Sequence, residues 1–215
     1  MSKNVIIYCE GYTEEGFINE VLAPYFKKMD IKVMPQIHKT KITGTGVFRG
    51  GVKNYAPIKS ELIKYCKNPN FVVTTMFDYY GMPKDTPSIG CTEVDIYKRI
   101  EIIESAIADD IGYDNFIPNL IMHEFEGLLF SDPQSFSVIT RGREVSMLQK
   151  IRNKAQSPEH INNSPETAPS KRILNIIDDY GKVRQGVIVA KNIGIDKMLS
   201  ECKHFADWIE KIKNK

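Results

Sequence analysis

Four carboxylates follow three apolar runs, and their placement is the feature of the sequence with the clearest chemical content. Glu10 ends the run at 5–9 (VIIYC), Asp78 ends the run at 71–77 (FVVTTMF), and Glu124 and Glu126 follow the run at 116–122 (FIPNLIM). Oxygen donors of this kind suit hard cations, so the pattern points to Mg2+ or Mn2+ held by one or two carboxylates, waters and phosphate oxygens. Such an ion neutralises phosphate charge and generates hydroxide, and two ions clamp the attacking and leaving oxygens together. On this reading Glu10, Asp78 and Glu126 are catalytic candidates, and Glu10, Asp78, Glu124 and Glu126 are candidate metal ligands. The competing role for any one of them is to cap the helix that follows its strand. Glu14 and Glu15 fit that second role, as partners of the dipole of a helix capped by Thr13. Glu124 and Glu126 share a side if the segment is extended and diverge if Glu124 opens a helix. Gly11 and Gly81 favour the metal reading, because glycine lets the backbone approach a ligand closely. His123 is a candidate accessory ligand or general base, with a hydrogen-bonded structural histidine as the alternative.

A second cluster, Ala168-Pro169-Ser170-Lys171-Arg172, combines an N-cap serine with two cations in a first helical turn. Cations there oppose the helix dipole, whereas a phosphate at the same place is favoured. Ser170, Lys171, Arg172 and Lys182 are therefore candidate phosphate-binding residues, and Arg184, Lys39, Lys41, Arg49 and Lys53 could extend a track for a nucleic-acid backbone.

The elements that must position these groups follow from hydrophobic period. The runs at 5–9, 71–77 and 116–122 are continuous, the pattern of strands covered on both faces, and 32–38 adds another strand. Helical spacing appears after Gly11, over 55–67 and over 93–111. Residues 39–51 hold four glycines and three threonines and are expected as a loop. Alternation of strand and helix predicts an α/β fold with a mostly parallel sheet flanked by helices. Beyond this, helices are expected at 146–155, 170–180, 185–193 and 196–213, so residues 1–140 form an α/β core and 141–215 a helical extension packed on it.

Composition narrows the partners little. The chain has 215 residues, 42% of them hydrophobic and 26% charged, enough for one sizeable core. Its formal charge is only +2, so any polyanion site must be a local patch. Cys9, Cys66, Cys91 and Cys202 show no zinc-ligand spacing, and Cys202 with His204 lacks a second ligand pair. Free thiols, an opening apolar run too short for a signal peptide and no stretch of roughly 20 apolar residues lead to an expectation of a cytoplasmic protein without a membrane span.

Strand-Glu10-Gly11-x-Thr13-Glu14 followed by a helix resembles the opening of Toprim domains, shared by topoisomerases, bacterial primases and the overcoming-lysogenisation-defect nucleases. The resemblance implies that Glu10 is the acid and metal-site residue and that a later strand ends in D-x-D. Here that strand ends Asp78-Tyr79-Tyr80, with Tyr80 in place of the second acid. Nearly end to end, the chain is also similar to a bacterial family of unknown function. Its blocks stand here as Glu10 to Glu14 (EGYTE), Thr74 to Gly81 (TTMFDYYG), His123 to Glu126 (HEFE), Pro158 to Asn162 (PEHIN), Ala168 to Arg172 (APSKR) and Cys202-x-His204-Phe205-x-x-Trp208. Toprim-like proteins often lie in anti-phage or DNA-processing loci beside an ATPase. The implied function is a metal-dependent nuclease acting on nucleic acid, alone or with a partner ATPase. The alternative is a non-catalytic Toprim-like scaffold that binds such a partner or nucleic acid.

Overall fold

The computed structural model describes residues 3–38, 54–162 and 167–215. Strand β1 (Lys3–Cys9) lies between β2 (Ile31–Ile37) and β3 (Phe71–Asp78), and all three run parallel. Two short strands, β4 (Phe116–Ile117) and β5 (Leu120–Ile121), continue along the far side of β3, also parallel, giving the order β2-β1-β3-β4 with β5 on β3. The sequence predicts one strand over 116–122; Pro118, which has no N–H to donate, splits it. Thr75 and Asn119 bridge the gap: the Thr75 hydroxyl donates to Asn119 O (2.7 Å), and the Asn119 amide donates to Thr75 O (3.0 Å). The edge position of β2 accommodates Pro35, which faces Ile7.

Alternation along β1 sends side chains to two cores. Val5, Ile7 and Cys9 join Phe17, Leu22, Val189 and Trp208, while Tyr8 packs with Val73 and Phe77 on the other face. The first face is covered by α1 (Tyr12–Phe17), a π-turn at Ile18–Leu22 and α2 (Ala23–Lys27). The second is covered by α3 (Tyr55–Cys66) and α4 (Ile96–Ile111), whose Ile58, Leu62, Ile100 and Ile103 are buried there. Asp95 caps α4 by accepting from Lys98 N (3.0 Å), and Gly112, at φ 69°, ends it in the left-handed region.

Beyond β5 come α5 (Glu126–Leu129), α6 (Gly142–Arg152), α7 (Pro169–Leu174), α8 (Val187–Ile193), α9 (Ile195–Glu201) and α10 (Lys203–Asn214). Phe205, Trp208, Ile209 and Ile212 of α10 share the core of β1, and Trp208 Nε1 donates to Thr74 Oγ1 of β3 (2.8 Å). Two expected helices are shorter in the structure. The one over 170–180 stops at Leu174, and the one over 196–213 breaks at Cys202, whose φ −118° and ψ 95° are extended. Among the described residues no helix is long and apolar enough to cross a membrane.

Candidate functional site

Chain direction changes sides between β1 and β3, and ligands in open parallel sheets collect outside the carboxyl ends of strands at that reversal. Glu10 stands one residue past β1, and Asp78 is the last residue of β3. An ideal Cβ on Gly81 would lie 2.7 Å from Glu10 Oε2, so only glycine there lets the Glu10 carboxylate rest against the turn after β3. Asp78 Oδ1 accepts from Phe125 N (2.9 Å), which ties the end of β3 to the segment between Glu124 and Glu126. His123, at φ 67°, turns the chain out of β5. Beyond it Glu126 is 2% exposed, and Glu124 accepts at Oε2 from Ser170 N (2.9 Å). Three strand ends thus deliver four acids to one edge.

A fifth acid joins them. Gly11, rather than Thr13, holds the N-cap position of α1, and Glu14 reaches back so that Gly11 N donates to its Oε2 (2.9 Å). The Glu14 side chain is buried beside the other acids instead of lying on a solvated first turn. Its role was hidden in the sequence because a first-turn glutamate looks the same whether it faces solvent or a cleft; the one available signal was its position three residues after Gly11, the capping-box spacing.

Electrostatics record the crowding. Burial, then the charges of Glu14, Glu126, Glu10 and Glu124, hold the Asp78 carboxyl well above the usual aspartate range. Burial pushes Glu126 up to about 7, with Glu124 and Glu14 adding to the rise and Lys182 opposing it. Glu10 is raised by burial and by Glu124 against the pull of Lys182, and Glu14 is raised by burial and by Glu10. Lys182 is the cation within this group: burial would lower its pKa, but Glu126, Glu124 and Asp78 raise it further. Its Nζ is 3.5 Å from Glu126 Oε1, an ion pair too long for a good hydrogen bond, and among the described residues that oxygen has no hydrogen-bond partner.

All five donors are carboxylates, the set a hard divalent cation prefers, and an orphaned oxygen on Glu126 fits such an ion. Among the described residues, however, no group of three His, Cys, Asp or Glu is arranged to hold one outright. Asp78, Glu124 and Glu14 each turn an oxygen to a backbone N–H, of Phe125, Ser170 and Gly11 respectively.

The four expected phosphate-binding residues separate. Lys182 stands at the acids, and the backbone of Ser170 meets Glu124, though Ala168 rather than Ser170 is the N-cap of α7. Lys171 is exposed and pairs with no carboxylate among the described residues. Arg172 turns the other way: its Nε donates to Thr167 O (2.7 Å), and its side chain lines a neighbouring cavity. Lys39, Lys41, Arg49 and Lys53 lie outside the described residues. His123 is buried, its ring 5.1 Å from that of Tyr80, and burial and the nearby His160 lower its pKa to about 4, so it is neutral at pH 7.

The remaining blocks have structural work. Glu159 accepts from His204 N (3.1 Å) and Phe205 N (2.9 Å), capping α10, while Tyr97 OH donates to it (2.9 Å). His204 Nε2 is 2.9 Å from Glu104 Oε1, and Cys202 is buried 3.3 Å from the Ser131 hydroxyl, so neither faces a shared metal position.

A family model described as Domain of unknown function (DUF4276) matches residues 9–213. No curated protein matches the chain. The C-terminal region of the Xanthomonas campestris pv. campestris OLD protein is similar in structure. Its mercury-phased form superposes at a TM-score of 0.47 with 17% identity, covering 100% of this chain and 96% of that one. The iodine-phased form gives 0.44 and 16%, covering 100% and 95%.

Proposed function

The chain belongs to this DUF4276 family, and we propose that its carboxylate cluster holds Mg2+ or Mn2+ for hydrolysis of a phosphodiester bond in nucleic acid. The observation that carries the reading is the meeting of Glu10, Glu14, Asp78, Glu124 and Glu126 at the strand-order reversal with Lys182 as the partnering ammonium. Crowded carboxylates that raise one another's pKa are a deficit of positive charge, which a divalent ion relieves. The resemblance to Toprim motifs points the same way.

Glu10, Asp78, Glu124 and Glu126 are the residues that would hold the ion, with Glu14 close behind. When bound, the ion would neutralise the scissile phosphate and supply hydroxide near neutral pH. Lys182, with 42% of its side chain exposed, is free to turn from Glu126 to a phosphate oxygen. Glu126, pushed up to about 7 by burial, would give up its proton as the ion binds. The same segment fits a nuclease subunit of a DNA-processing or anti-phage system beside a partner ATPase.

A second reading, a scaffold without catalysis that binds a partner ATPase or nucleic acid, is favoured by one observation. Lys182 already provides a counter-charge, and the acids are turned toward backbone N–H groups. Nicking of supercoiled DNA and of RNA in Mn2+ separates the two. The wild type should cut, and Glu10→Gln and Asp78→Asn should each lose about a hundredfold or more while remaining folded. Wild-type protein that cuts neither substrate, alone or with a partner ATPase, leaves the scaffold as the surviving account.

A further inference from the structure

Beside α7 lies a cavity of about 210 Å3, lined by Lys154, His160, Asn162 and Arg172 together with Ile151 and Ala155. Among the described residues no carboxylate lines it. Neither Lys154 nor Arg172 forms an ion pair with any carboxylate among the described residues. Thr167 O fixes the Arg172 guanidinium through Nε and Ser157 Oγ holds His160 at Nδ1 (2.8 Å), while among the described residues both Arg172 Nη groups and His160 Nε2 make no hydrogen bond. Fixed guanidinium forks match the oxygens of a phosphate, and ammonium and imidazole add point donors. The volume equals on the order of seven waters, enough for a phosphate group with its ester oxygen.

One link joins this cavity to the acids. Ser170, two residues before Arg172 on α7, donates its N–H to Glu124, and a helix with its side chains is only about 10–12 Å across. We infer that the cavity is an anion subsite that takes a second phosphate of the nucleic-acid strand whose neighbouring phosphodiester lies at the carboxylates. The identity of the strand rests on the hydrolase reading; the anion site does not.

The two are tested separately. Inorganic phosphate is titrated into the full chain in EDTA while backbone amide resonances are followed. Saturable shifts at His160, Asn162 and Arg172 are expected, with affinity about tenfold or more weaker in Arg172→Gln and in Lys154→Gln. Lys154 is exposed, so its variant keeps the test readable if Arg172→Gln misfolds. Absence of saturable binding in the wild type, or wild-type affinity in Lys154→Gln, overturns the subsite whether or not the protein cuts. Cleavage of oligonucleotides with a 5′-phosphate or a 5′-hydroxyl then identifies the source of the phosphate. A loss in Lys154→Gln confined to phosphorylated ends supports a terminal phosphate, and an equal loss on both supports an internal one. Cleavage that matches the wild type on both overturns the link to the strand.

Discussion

Tyr80 stands two residues after Asp78, where the resembling motif carries its second aspartate, yet its ring lies against that of His123. An acid at that position would face the His123 ring, while Glu14 and Glu126 already crowd Asp78. Tyr80→Asp should therefore leave Mn2+ affinity within about twofold of the wild type and lower the melting temperature, because the ring contact is worth about 0.5–1.5 kcal/mol. Calorimetry and a thermal melt check both; a clear tightening of metal binding would mean that Tyr80 occupies a ligand position. Glu10, Asp78 and Glu126 were legible in the sequence because each follows a strand that period alone reveals. Lys171 and Arg172 were legible as cations but not in direction, since neighbours on one helical turn point about 100° apart.

At the scale of elements, α10 is held at both ends. Glu159 receives the N–H groups of His204 and Phe205, and Lys3 Nζ donates to Ile212 O (3.1 Å) and Lys213 O (2.7 Å). Glu159→Ala leaves two N–H groups without their cap and should cost about 2–3 kcal/mol, read from chemical denaturation. A loss under 0.5 kcal/mol would contradict the capping role. His204 adds a pH dependence: burial alone would lower its pKa, but the hydrogen bond and charge of Glu104 raise it above 6.5. The contribution is complete below 6.5 and is lost as pH rises through the raised folded value. Wild-type melting temperature should fall as pH rises above about 6.5 by more than that of His204→Gln; equal falls would show that the pair contributes nothing. The break at Cys202 escaped hydrophobic period because 196–213 keeps helical spacing across it. What starts a new helix there is Glu159, some forty residues earlier in the chain, a contact no local pattern encodes.

Across the whole molecule, the alternation of apolar runs and helical segments predicts the parallel sheet, and the structure has it. The order of the strands is different in kind: β2 and β3 on opposite sides of β1 follow from how helices cover both faces, and only that order brings Glu10 beside the end of β3. The C-terminal helices share the core of β1 and bring Ser170 and Lys182 to the acids, so the carboxylate cluster is assembled from both ends of the chain. The central claim is that this cluster is a cation site. It is tested most directly by calorimetric titration of Mn2+ into the metal-free full chain and into its Asp78→Asn variant. Saturable binding of about one or two equivalents is predicted for the wild type, weakened at least about tenfold by the substitution. A flat titration of the wild type, or the same isotherm for both proteins, would contradict it.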